Sequence, residues 1–396
     1  MEQISRPVIA GVVAALVGFT SSFAVVLAGL RAVGATPTQA ASGLLVLSLA
    51  QGLGIVWLTL RHRTPLILAW STPGAAMLAT TGAVAGGWAA AVGAFLLVGV
   101  LILVTGLWPA LGRLVAAIPT ALAQAMLAGV VLSLCLAPVH GLAAEPWAVA
   151  PILVGWLLAT RFAPRWAVPI AFALTLVVIG VGAGGDLGAA LVAPTLTWTV
   201  PTLTWPAVLS LALPLYLVTM ASQNVPGAAV LSSYGYRVPW RESMAVTGVG
   251  TLAGAVFGGH AVNLAAITAS MTANPDVHAD PARRWVAAHA AGWTYLVLGI
   301  VSAPLTAFVS LAPPDVIGTV AGLALLGTLA AALVGALTAA EGREAVTVTF
   351  VVAASGTVIG GVGAAFWALL AGLAVRAVLS RRGSGEASPT TVTTSR

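Results

Sequence analysis

The sequence predicts an all-α polytopic membrane protein of about fourteen transmembrane spans, arranged as two inverted repeats of seven with discontinuous spans 3 and 10. Three observations predict it. The 396-residue chain is 60% hydrophobic and only 7% charged, whereas soluble domains carry roughly 25% charged residues. Its basic residues fall on one side of the membrane once the spans alternate. A polar cluster and a proline in the first half recur, in order, in the second.

A crossing needs about 20 apolar residues. Apolar runs place spans at 8–30, 38–60, 66–80, 88–108, 118–137, 147–161, 166–183, 206–231, 240–257, 261–273, 284–307, 315–338, 343–358 and 361–380. The first run, from Val8 to Leu30, exceeds the roughly 7–15 residues of a signal-peptide core and lacks a clean cleavage site. It is read as a retained span. Spans 3 and 10 are too short for a straight crossing, and spans 6 and 13 are also short.

With the N-terminus in the cytoplasm, fifteen of the sixteen basic residues, all Arg, lie in inner loops or at inner termini, and Arg31 alone lies outside. The positive-inside rule expects this bias, and gaining or losing one span would scramble it. The formal charge of +6 therefore reports topology, and nucleic acid is not an expected partner. No carboxylate lies in the middle of a span, and Cys135 is the single cysteine, so no disulfide framework or thiolate metal cluster is expected. The Ser/Thr-rich tail, residues 381–396, is expected to be disordered and cytoplasmic.

Span 1 carries Gly18-Phe19-Thr20-Ser21-Ser22, and Thr36-Pro37 opens span 2. Span 8 carries Ala221-Ser222-Gln223-Asn224, and Val238-Pro239 opens span 9. A shift of 202 residues aligns both clusters and both prolines. Seven spans per half is odd, so the halves oppose each other, as in secondary transporters. In Met220 to Gly227, two neutral amides precede Pro226-Gly227, a polar and breakable patch at membrane depth that marks a functional site.

The short spans 3 and 10 occupy matching positions, which points to a binding site. In Ala69-Trp70-Ser71-Thr72-Pro73-Gly74, Ser71 or Thr72 suits a helix N-cap and Pro73 the first helical turn. Residues 66–70 would be extended and 73–80 a half-helix. In Gly258-Gly259-His260-Ala261-Val262-Asn263, Asn263 is expected to cap a half-helix from Leu264. Two such N-termini, each near +0.5 charge, would bind an anion without a buried Arg. Gln51 and Gln124 are expected to make interhelical hydrogen bonds. His289 reads as a packing histidine. His260 is either a residue of the outer mouth or a proton acceptor. The loop from Asn274 to Arg284 reads as a solvated cytoplasmic loop rather than a metal site. No P-loop, catalytic triad or dinucleotide fingerprint is present, so neither an enzyme nor a cofactor is expected.

These motifs, together with Ser5-Arg6-Pro7 and Ser222-Gln223-Asn224-Val225-Pro226-Gly227, resemble the bacterial benzoate transporter (BenE) family, and the likeness runs to about Leu379. The resemblance implies proton-coupled benzoate uptake at the inner membrane and kinship with the uracil-transporter fold. That fold implies a core domain of 1–108 and 206–310 (spans 1–4 and 8–11), a gate domain of 109–183 and 311–380 (spans 5–7 and 12–14), and an outer linker at 184–205. Those relatives carry acidic residues in spans 8 and 10, where this chain has Gln223, Asn224 and Asn263.

The resulting expectation is a secondary transporter importing benzoate or a similar aromatic monocarboxylate with protons, by alternating access, in the bacterial inner membrane. Both termini are placed in the cytoplasm, and a homodimer is an allowed assembly. Candidate substrate-binding residues are Ser71, Thr72, Gly74, Gln223, Asn224, Asn263 and Ser22, with Phe19 and Trp70 as the apolar wall for the ring. His260 and then His289 are the proton-coupling candidates. The alternative is a channel or facilitator for small organic anions or a nucleobase-like substrate.

Overall fold

The computed structural model describes residues 2–182, 192–338 and 342–383. Those residues are almost wholly helical, with one two-stranded ribbon. The first part contains α1 (Glu2–Thr20), α2 (Phe23–Ala32), α3 (Pro37–His62), β1 (Leu68–Trp70), α4 (Thr72–Thr81) and α5 (Gly87–Leu107). It continues with α6 (Pro109–Ala116), α7 (Thr120–Ala144), α8 (Pro146–Phe162) and α9 (Ala167–Gly182). The second part begins with α10 (Trp205–Ala207), α11 (Leu213–Thr219), α12 (Val225–Ser233), α13 (Trp240–Ala255), β2 (Val262–Leu264), α14 (Ile267–Ala273) and α15 (Trp285–Val309). It closes with α16 (Pro314–Leu337), α17 (Arg343–Ala354) and α18 (Ala364–Gly383). Among the described residues, eight helical stretches are long and apolar enough to cross a membrane, and Pro146–Phe162 and Ala364–Leu379 are shorter apolar helices. Residue 183, part of the expected outer linker (184–191) and the tail beyond Gly383 lie outside the described residues.

Local chemistry explains the boundaries that matter for the site. Helix α3 opens on a reciprocal capping box: Gln39 N–H donates to Thr36 Oγ1, and Thr36 N–H donates to Gln39 Oε1. Two otherwise orphaned donors are thereby satisfied. The polar cluster of span 1 interrupts its helix at Ser21 and Ser22, so α1 and α2 are separate pieces.

Span 8 runs through two π-helical turns, Val208–Ala212 and Met220–Asn224. Each contains the residue four before a proline, Ser210 before Pro214 and Ser222 before Pro226. A proline ring collides with that carbonyl in a regular α-helix, and widening the turn relieves the collision. The loosening expected at Pro226-Gly227 therefore falls on Met220–Asn224, the turn that holds both amides.

Helix α3 packs on α15, α5 on α13, and α1 on α15. A second group gathers around α7, which packs on α16 and α17, while α8 packs on α9. The extended chain before α10 is laced to the ends of α3, α5 and α13. Thr197 N–H donates to Ser42 Oγ (2.9 Å), Thr199 N–H to the Val256 carbonyl (2.9 Å) and Thr202 N–H to the Ala89 carbonyl (3.0 Å).

Candidate functional site

Strands β1 and β2 lie antiparallel with Leu68 opposite Leu264, Ala69 opposite Asn263 and Trp70 opposite Val262. Beyond the ends of the ribbon, Ser71 N–H donates to the Ala261 carbonyl (3.1 Å) and Ala265 N–H to the Ile67 carbonyl (3.0 Å). Antiparallel hydrogen bonding alternates, so Ala69 and Asn263 form the bonded pair. The N–H groups of Val262 and Leu264 then point away from β1. In an apolar interior such edge groups need partners. Neighbouring helices provide them: Thr251 Oγ1 accepts from Val262 N–H (3.0 Å), and Asn224 Oδ1 accepts from Leu264 N–H (2.8 Å).

Strand β1 leads directly into α4, capped as expected. Ser71 Oγ accepts from Gly74 N–H (3.2 Å), and Thr72 and Pro73 form the first turn. Thr219 Oγ1, from α11, donates to the same Ser71 oxygen (2.8 Å). Gly74 is required by packing, since a Cβ there would run into the Leu215 side chain and lie 2.7 Å from Ser71 Oγ. Thr72 is half-buried, and its hydroxyl has no partner among the described residues.

Asn263 does not cap a helix. Its backbone is committed to the pairing with Ala69, Nδ2 donates to the Leu264 carbonyl (2.8 Å), and buried Oδ1 has no partner among the described residues. Helix α14 begins at Ile267, with Ala266 at its N-cap position. The strand needs residues 262–264 for pairing, which moves the helix start three residues beyond Leu264, the start expected from sequence.

The two amides of span 8 differ. Asn224 is buried and holds β2, with its Nδ2 against Met220 Sδ (3.2 Å). Gln223 is half-buried, and its amide has no partner among the described residues. Ser22 Oγ accepts from Trp70 Nε1 (2.6 Å) and donates to the Gly18 carbonyl (2.6 Å). Phe19 and Trp70 meet with ring centroids 5.4 Å apart but are only 1% and 2% exposed. They pack inside the protein here and do not form the open wall expected for a ring.

His260 is buried beside the ribbon. Its Nε2 lies 2.9 Å from the Ser71 carbonyl, which can only accept, so Nε2 carries the hydrogen. Nδ1 has no partner. The residue therefore sits against the α4 cap, not at an outer mouth. Gly258 makes the approach: its φ of +96° suits glycine, and a Cβ would lie 3.1 Å from the Gln39 carbonyl. His289 lies near the start of α15, with both nitrogens engaged. Trp293 Nε1 donates to His289 Nε2 (3.1 Å), so Nδ1 donates to Thr59 Oγ1 (3.0 Å). Gln51, expected to bond across helices, is buried with neither amide atom partnered. Glycines and aliphatic side chains such as Gly250, Gly292 and Val246 line the approach to α3.

Sequence reading missed Thr219 and Thr251, which hold the α4 cap and the β2 edge. Thr219 lies four residues before Gln223, and this spacing was its only signal.

Two back-to-back strand-to-helix breaks, clasped by side chains of flanking helices, place the molecule among polytopic helical membrane proteins built around broken spans. It aligns with the transmembrane domain of the cyanobacterium bicarbonate transporter BicA at a TM-score of 0.59 and 15% identity, covering 95% of this chain and 97% of that one. With SLC26A9 the TM-score is 0.64 at 12% identity, covering 96% and 66%. The kinship with the uracil-transporter fold is met at the coarser level, since the fold shared here is that of BicA and SLC26A9, to which that fold is related. The chain belongs to the BenE family, described as benzoate membrane transport protein, whose model matches residues 3–378. It is 39% identical over 367 residues to the inner membrane protein YdcO of Escherichia coli (strain K12), covering 92% of this chain and 93% of YdcO. It is 28% identical over 371 residues to the benzoate membrane transport protein of Acinetobacter baylyi, covering 92% and 93%.

Proposed function

We propose that the protein imports benzoate or a similar aromatic monocarboxylate together with protons across the bacterial inner membrane, by alternating access. The observation that carries this reading is the start of α4. A capped helix N-terminus, with its partial positive charge, lies one turn of span 8 from an amide without a partner among the described residues, in a chain with no carboxylate in the middle of a span. The carboxylate accepts from Gln223 and from the Thr72 hydroxyl. Ser71, Gly74, Asn224, Asn263 and Ser22 hold the ribbon and caps around it, and Phe19 and Trp70 reach the ring only after the site opens. His260 Nδ1 is the proton acceptor, ahead of His289, whose nitrogens are already engaged.

The chain is read as fourteen crossings in two inverted halves, with both termini cytoplasmic. Support comes from the ribbon itself. Residues 68–70 pair with 262–264 about the Ala69–Asn263 pair, as two equivalent strands from opposed repeats would. The packing of α7 with α16 and α17, apart from the α3–α15 and α5–α13 contacts, supports a gate of 109–183 and 311–380 against a core of 1–108 and 206–310.

Uptake of labelled benzoate into proteoliposomes, with and without an inward proton gradient, tests the reading. Saturable accumulation above equilibrium that collapses with the gradient is expected. Non-saturating flux indifferent to the gradient would leave a channel, and absence of flux would remove benzoate as substrate.

A further inference from the structure

A cavity of about 470 Å³ opens at the far end of α14 from the ribbon. Helix α1 lines it with Arg6, Ile9 and Val13. The turn between α8 and α9 contributes Arg165, and the chain after α14 contributes Asn274 and Asp276. Two guanidiniums face one carboxylate, so the cavity is net positive. Both arginines are exposed. The α1 wall turns apolar toward the membrane interior. From Arg6 to Val13 it runs about 10 Å, and Val13 lies about 9 Å along the axis from Phe19, at 1.5 Å per residue. The seven residues of α14 span a similar distance, about 10 Å, from the ribbon to this cavity. The cavity thus combines a net positive charge with apolar lining from α1.

We propose that this cavity is a second binding site for the aromatic carboxylate, occupied on the cytoplasmic side before release. The carboxylate engages Arg6 and Arg165, and the ring lies on Ile9 and Val13. This rests on the function proposed above, in which Arg6 belongs to the core and Arg165 to the gate. An anion here touches both moving parts. Paired guanidiniums suit a planar carboxylate, and the apolar wall beside them excludes small inorganic anions as the best fit.

The test is calorimetric titration of the purified full-length protein with benzoate, at low salt and at ~0.5 M salt, where exposed charges are screened. Two components are expected, the weaker one salt-sensitive and absent with neutral benzamide. The Arg6→Gln/Arg165→Gln double variant should weaken that component at least tenfold and leave the tight one unchanged, while Arg6→Lys/Arg165→Lys keeps part of it. Both arginines are exposed, and a melting curve checks the fold. If the double variant titrates like the unaltered chain, with one component, two or none, the second site is wrong. Displacement of the weak component by phosphatidylglycerol in nanodiscs would assign the cavity to a lipid headgroup instead. A Gln223→Leu variant separates the two ideas: unchanged tight binding there overturns the placement at α4 and leaves the arginine cavity standing.

Discussion

Adjacent amides on one π turn, Asn224 and Gln223, are expected to fail in opposite ways. Asn224→Leu removes the acceptor of a buried 2.8 Å bond from Leu264 N–H. That N–H faces away from β1, and the substitution gives it nothing in return. An orphaned buried donor costs about 1–3 kcal/mol. At about 2 kcal/mol, the arrangement with β2 in place loses roughly thirtyfold against its competitors, at a factor of ten per 1.4 kcal/mol. The melting midpoint in detergent should fall, and benzoate affinity should weaken by up to about the same factor, because only the correctly assembled fraction binds. Gln223→Leu removes an amide that bonds to nothing among the described residues. Its melting midpoint should stay within the scatter of surface substitutions, about 0.5 kcal/mol. Its benzoate affinity should drop by a hydrogen bond to a charged group, about 1.5–3 kcal/mol or roughly 10- to 150-fold. Thermal melting and equilibrium binding on the two purified variants decide the matter. If Asn224→Leu melts like the unaltered protein, the Leu264 bond does not hold β2. If Gln223→Leu binds benzoate normally, the free amide does not face the substrate.

Ser71→Ala removes the α4 cap and should destabilise by about 0.5–2 kcal/mol, with Ser71→Gly milder; equal melting midpoints for all three chains would refute the capping role. Thr251→Val orphans Val262 N–H and should cost about 1–3 kcal/mol, with less than additive loss when combined with Asn224→Leu because both act on β2; full additivity in denaturation would contradict that coupling. His260→Gln keeps a donor for the Ser71 carbonyl but cannot titrate, so proteoliposomes should retain benzoate exchange and lose gradient-driven accumulation. His289→Gln should keep the pH profile of uptake. If His260→Gln also keeps it, the proton travels by another route. Gly258→Ala places a side chain at φ +96°, at a strain of about 1–3 kcal/mol, and should lower the melting midpoint; an unchanged midpoint would mean the turn relaxes freely.

Composition and Arg placement decide that this chain lives in a bilayer, because transfer of apolar surface and exclusion of charge act residue by residue. Local chemistry also reaches the start of α4, since a Ser cap followed by Pro acts within one turn. Sequence could not place the start of α14. Asn263 is as good a cap as Ser71 by local rules, but pairing with Ala69, a residue 194 positions away, claims its backbone for a strand. The two amides of span 8 were likewise indistinguishable in sequence. Whether an amide is free depends on which donor the tertiary fold sets in front of it, and only the fold set Leu264 N–H before Asn224 and, among the described residues, nothing before Gln223. Phe19 and Trp70 follow the same logic. Their aromaticity was legible, but their exposure is a property of how α1, α2 and β1 close on one another. Long-range hydrogen bonding in an interior without water decided each of these points, because there an unpaired polar group is too costly to leave to local preference.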